Sequence, residues 1–286
     1  MVLMGRLLGC VAVLILVVVG PGVTLAVTAE EAVELIASRL DQAQIKEGPD
    51  AGLWTLEMAF LGPITTGMAS AHEWTGNPAY REAAELAGQW ILATAIAQGS
   101  LFGDEAYAFT WLSEVSEDPN HNLWQNALVD FYLSPRKHHN EDTTEEYLAA
   151  FEGLESSTAV FYLAHHLVAA DYVDDQDVDV YRRTLIAHLS RVDDDAVFPV
   201  MALGAATWAL VTTDSPVETA IVTNLVSPHS PSWEGLTVGD LPELLAGHQV
   251  PEGEPFAGSF YWRLDHTDGG TGGVLSGSVS YTHLRA

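Results

Sequence analysis

Gly99–Ser116, GSLFGDEAYAFTWLSEVS, is the stretch whose reading decides the fold. A glycine turn leads into Asp104-Glu105 and then into a segment that is apolar on nearly every side. A helix with no polar face has to be surrounded by other helices. Comparable stretches recur along the chain, separated by segments with one polar face. That alternation of buried and half-buried helices predicts an all-α fold built from helical hairpins.

Working outward, Glu30–Gln44 carries Val33, Ile36, Ala37 and Leu40 at the spacing of an amphipathic helix, with Thr28 and Glu31 at capping-box separation. Ile45–Trp54 reads as a loop. Met58–Trp74 is the first buried-helix candidate. Asn77-Pro78 then places an N-cap residue before a first-turn proline. Pro78–Gln98 is its outer partner, with Ala83, Leu86, Ala87, Trp90, Ala93 and Ala97 assigned inward. Gly103–Glu114 is the second buried helix and Asn122–Leu133 its partner. Arg136–Thr144 reads as a polar loop and Glu145–Phe151 as a short helix. Ser156–Tyr172 is the third buried helix, covered by Val178–Val192. Asp195–Thr213 is the fourth, with a partner expected from Ser215 to about Val226. Beyond Ser227 the pattern changes. One short helix is expected within Trp233–Gly247, aromatic strand or loop over Phe256–Trp262, and the start of a fifth buried helix at Val274–Val279.

The buried helices begin near Gly62, Gly103, Ser156 and Asp195, that is 41, 53 and 39 residues apart. Repeats of this length mean a solenoid or a closed ring of hairpins. One layer is almost wholly apolar, which favours a ring with that layer inside.

Composition narrows the function classes. The chain of 286 residues has 39 acidic against 11 basic residues and a net charge of −28. Such a surface repels phosphate backbones, so nucleic acid is excluded as a partner. The scarcity of lysine beside abundant carboxylates suits a salty environment. Residues 1–29 read as a cleaved secretory signal: Arg6 in a short n-region, an apolar run from Leu7 to Gly20, and small residues around Val27-Thr28-Ala29. The expected location is therefore secreted or cell-surface, with no stable membrane span after cleavage. The single cysteine, Cys10, falls inside that signal, leaving no disulfide in the mature chain. Ser278–Ala286 reads as a non-native tail, and residues 30–277 as one domain truncated at its C-terminus.

Gly52-Leu53-Trp54, Thr75-Gly76-Asn77-Pro78-Ala79-Tyr80 and Gly103-Asp104-Glu105-Ala106 resemble the (α/α) toroid superfamily. That group contains terpenoid cyclases, protein prenyltransferases and secreted polysaccharide lyases and glycosidases. The resemblance spans about Ala32 to Val226. It implies a funnel whose mouth is lined by the loops entering the inner helices.

Candidate chemistry follows from residue type. Asp104 at the start of a buried helix is either a helix-terminus acid or a catalytic carboxylate, with Glu105 beside it as a substrate contact. In Trp262-Arg263-Leu264-Asp265-His266, Arg263 is placed to neutralise a uronate carboxylate and His266 to abstract its C5 proton, with Asp265 alongside. A surface loop held by its own salt bridge is the other reading. Trp54, Trp233 and Trp262 lie in loops and either stack on sugar rings or close the core. His72-Glu73 and His165-His166 read as core histidines, and His138-His139 as exposed. Asp174–Asp179 alternates acids like a calcium loop but lacks the sixth-position glycine and distal glutamate. Weak Ca2+ binding and a plain acidic turn both remain. The absence of DDxxD and DxDD strings argues against diphosphate chemistry, and there is no P-loop or GxSxG elbow. A lyase or glycoside hydrolase acting on polysaccharide, or a non-catalytic extracellular toroid of a longer surface protein, are the two expectations.

Overall fold

A computed structural model describes residues 28–54, 61–98, 101–117, 119–133, 143–223, 229–252 and 259–266. Residues 1–27 of the expected signal, the tail, residues 136–142 of the polar loop with His138 and His139, and the fifth-helix candidate lie outside them. Among the described residues there are ten α-helices and no strands, and helices adjacent in sequence pack in pairs. The chain divides into two units, Met1–Asp142 and Thr143–Ala286.

The first unit holds α1 (Ala29–Ala43), α2 (Leu61–Thr75), α3 (Pro78–Gln98), α4 (Gly103–Val115) and α5 (Asn120–Tyr132). Thr28 and Glu31 form the capping box that their spacing predicts, each side chain accepting the other's backbone N–H. At the end of α1, buried Gln44 donates from Nε2 to the carbonyls of Gly52 (3.1 Å) and Ala83 (2.8 Å). This ties the loop to α3. Gly52 itself has φ +102°, and a Cβ there would lie 2.4 Å from the Leu86 carbonyl oxygen, so only glycine fits the turn.

Helix α2 packs against both α3 and α4, and α4 against α5. The nearly all-round burial of α4, from Ala108 to Ser113, agrees with its apolar composition. The inward stripe of α3 is Tyr80, Ala83, Ala84, Ala87, Ile91 and Ala95, whereas Ala93 and Ala97 are exposed. Alanine is too weakly apolar to mark a face, and in the run Ile91–Ala97 the larger Ile91 sets the rotation. Gly88 lies opposite Trp124, which packs its ring 5.4 Å from Phe109. A Cβ at Gly88 would sit 2.5 Å from Leu112 Cδ1 and 2.9 Å from Trp124 Cη2. Gly88→Ala is therefore expected to cost about 1–3 kcal/mol by overpacking, measurable as a lower urea midpoint.

The second unit holds α6 (Thr144–Ala149) continued by a 3-10 turn over Ala150–Gly153, α7 (Ser156–Tyr172), α8 (Val178–Leu189), α9 (Pro199–Thr212) and α10 (Leu241–Gly247). Helix α7 packs on both α8 and α9, as the third buried helix should. Glu155 caps it, accepting the N–H groups of Ser157 (3.1 Å) and Thr158 (2.9 Å). The fourth buried helix starts at Pro199 rather than Asp195. Asp193 Oδ1 accepts the N–H groups of Asp195 and Ala196 and holds those residues in a turn.

The expected outer partner after Ser215 is not formed within its described residues. Residues 214–223 are turn and irregular backbone, with an antiparallel bridge between Ala220 and Thr237. The run Val217, Thr219, Ile221, Val222, Thr223 is β-branched at most positions and favours extended backbone over helix. The short α10 packs against α9 instead. Among the described residues, no helix is long and apolar enough to cross a membrane.

Candidate functional site

The predicted site residues fall in both units. In the first, Asp104 and Glu105 occupy the opening turn of α4. Glu105 reaches back to accept the Phe102 N–H at 3.1 Å, while its neighbour turns inward. Asp104 is 5% exposed. A Cβ on Gly62 would lie 2.6 Å from the Asp104 carbonyl carbon and 2.8 Å from its Oδ2, so the bare start of α2 lies directly against the carboxyl. Asp104 Oδ1 has no hydrogen-bond partner among the described residues.

A helix N-terminus ordinarily favours a carboxylate. Here burial outweighs it. Loss of water, with Glu105 adding repulsion, pushes the Asp104 carboxyl up to about 8. Burial raises Glu105 to about 7 against the opposing hydrogen bond from Phe102. Burial thus favours the protonated form of Asp104 near neutral pH.

Trp54, also in this unit, is buried, with its indole N–H donated to the Leu40 carbonyl at 2.8 Å. Its placement matches closure of the core rather than an open stacking platform.

In the second unit, Trp233 is fully buried and donates to the Val192 carbonyl at 2.6 Å. Core closure again describes it. Residues 262–265 are fastened to the turn that leads into α9. Trp262 donates to the Val197 carbonyl at 3.1 Å and sets its ring edge-on to Phe198 at 5.1 Å. The Arg263 guanidinium donates to the carbonyls of Asp194 and Ala196. The Asp265 N–H donates to Asp194 Oδ1 at 3.1 Å. Arg263 is therefore engaged by backbone oxygens, and Asp265 is exposed.

His266 does not share those partners. It adopts φ +60°, stacks on Tyr261 at 4.1 Å with the rings 14° apart, and meets His248 with a 2.7 Å Nδ1–Nε2 separation. Burial and the facing imidazole lower His248 to about 4. Sequence reasoning missed His248, since a lone histidine 18 residues upstream carries no spacing signal.

The remaining titratable candidates are structural. His166 is buried, 3.0 Å from the Tyr147 hydroxyl. His72 Nδ1 faces the Asn77 carbonyl at 2.9 Å. In the acidic run, Asp175 Oδ1 accepts the Asp177 N–H, Asp177 Oδ2 accepts the Thr144 hydroxyl, and Asp179 pairs with Arg182. These bonds describe a turn between α7 and α8. No cluster of three or more His, Cys, Asp or Glu side chains among the described residues is arranged to hold a metal ion. Comparison of the chain with protein-family models, curated sequences and solved structures finds no match.

Proposed function

We propose that this chain is a secreted (α/α) toroid-type protein that hydrolyses glycosidic bonds, with Asp104 as the proton donor. One observation carries the reading: at the N-terminal end of α4, a carboxyl that burial raises to about 8, one oxygen of which has no hydrogen-bond partner among the described residues. Glycoside hydrolysis needs a carboxylic acid that stays protonated near neutrality to deliver its proton to the leaving oxygen as the C–O bond breaks. Water then supplies the hydroxyl at the sugar carbon and gives up its proton to the Asp104 carboxylate, which restores the acid. Hydrolysis is favoured over uronate lysis because Arg263, the group the lyase reaction needs for its substrate carboxylate, is engaged by the Asp194 and Ala196 carbonyls. Secretion and the closed ring rest on the reading of residues 1–29 and on the hairpin repeats.

A polysaccharide panel with detection of reducing ends and of unsaturated products tests this. Reducing ends without unsaturation are expected, and Asp104→Asn should lower turnover about 100-fold. Equal turnover by wild type and variant, or no polysaccharide cleaved, would overturn the reading. A non-catalytic extracellular module is the second reading, favoured by the burial of Trp54 and Trp233, which leaves those two rings unable to stack on sugars.

A further inference from the structure

The histidine pair of the second unit is independent of Asp104 and is not used by the reaction above. His248 follows α10 directly and is 6% exposed, whereas His266 faces solvent. One isolated antiparallel bridge and its neighbouring backbone bonds hold them together. Tyr261 donates its N–H to the His248 carbonyl at 2.9 Å, Val250 donates to the Ser259 carbonyl at 2.8 Å, and Gln249 bridges Phe260. The stacked Tyr261 ring orients His266, and the backbone at φ +60° turns it back towards His248.

Two imidazole nitrogens therefore point at each other across 2.7 Å. In neutral rings a single proton lies between them, and a shift of tautomer moves it to Nδ1 of His266. Both lone pairs, on His248 Nδ1 and His266 Nε2, are then free to ligate. We infer that His248 and His266 form a binding site for a divalent transition-metal ion of the zinc or copper class. Imidazole is the ligand these ions prefer over carbonyl or carboxylate. Tetrahedral ligation at about 2.0–2.1 Å sets ligand nitrogens about 3.3 Å apart, so the pair must open by about 0.6 Å. The exposed His266 ring can make that movement. Its outward side leaves the other coordination positions to water or to an exogenous ligand. The net charge of −28 concentrates cations around the chain.

The test is calorimetric titration of the full chain with ZnCl2 at pH 7, beside His266→Asn and a His138→Ala/His139→Ala double variant. Asparagine tolerates positive φ, so His266→Asn removes the ligand while keeping the backbone. One ion per chain is expected for the wild type and the double variant, with at least tenfold weaker binding for His266→Asn. Electron paramagnetic resonance of the Cu2+ form should show two nitrogen ligands, reduced to one in that variant. Equal Zn2+ affinity in wild type and His266→Asn, or no binding at millimolar Zn2+, would overturn the inference. Asp104→Asn should bind Zn2+ like the wild type, so failure here and failure of the hydrolase reading are separate results.

Discussion

Lowering the pH from 8 to 5 is expected to stabilise the first unit of the wild-type chain by about 3 kcal/mol more than it stabilises Asp104→Asn. The sign follows from proton counting. Asp104 titrates near 8 when folded and near 3.8 as an ordinary carboxyl. Between those values the folded state holds a proton that the unfolded chain has released. Stability is therefore greatest at low pH and falls as the pH rises towards 8, where burying the carboxylate costs several kcal/mol. Glu105, raised to about 7, adds to the same trend.

The amide in Asp104→Asn cannot ionise, so its steep portion disappears. The two proteins should be nearly equal at pH 5, with the variant the more stable at pH 8. Urea unfolding of both chains at the two pH values reads this out. Relief of self-repulsion among the 39 acidic residues is shared by both chains and cancels in the comparison. Identical pH dependence in the two would show that the Asp104 carboxyl is solvated.

The second unit should behave oppositely at acid pH. Glu152 is held below the usual carboxylate range by its hydrogen bond with Arg191, and Glu155 by the N–H and hydroxyl groups of Ser157 and Thr158 against opposing desolvation. Their contribution is present above about pH 4.5 and is lost as the pH falls below it.

Trp233→Ala is expected to cost about 3–5 kcal/mol of stability, the range for emptying a large buried aromatic site. Trp233 has no exposed surface, and its indole N–H satisfies the Val192 carbonyl at 2.6 Å. Truncation leaves a cavity and an unpaired buried acceptor together. A ring that served to stack on sugar would lose ligand affinity on truncation and leave stability nearly unchanged. The Trp262 ring, half-buried and edge-on to Phe198, should show the smaller stability loss of the two. Thermal or urea unfolding of Trp233→Ala and Trp262→Ala side by side measures the difference. A Trp233→Ala chain as stable as the wild type would contradict the core role.

Much of the helix map was legible because burial leaves periodic marks. Ser156–Tyr172 and Pro78–Gln98 match the structure from end to end, and Gly103 opens α4 as expected. Proline, capping residues and glycine announce such boundaries locally. The difference after Ser215 has a local cause as well, since β-branched residues on both sides of Ala220 favour the extended backbone of the Ala220–Thr237 bridge over helix. The site was less legible. Trp54 and Trp233 lie outside the α-helices and are still buried, because segments distant in sequence cover them. Arg263 looked free beside Asp265 and His266, yet its donors go to carbonyls 67 and 69 residues away.

What the sequence by itself determined is the all-helical class, the alternation of buried and half-buried helices, and a strongly acidic balance, with a net charge of −28. Each follows from residue type and short-range spacing. Only the tertiary structure decided the chemistry of particular groups. Gly62 lies against Asp104 and removes water from a carboxyl that its helix position alone would leave ionised. The antiparallel bridge between Gln249 and Phe260, with the backbone bonds beside it, brings His248 to His266. Desolvation and long-range pairing depend on which segments meet in space, and local sequence pattern carries no record of that.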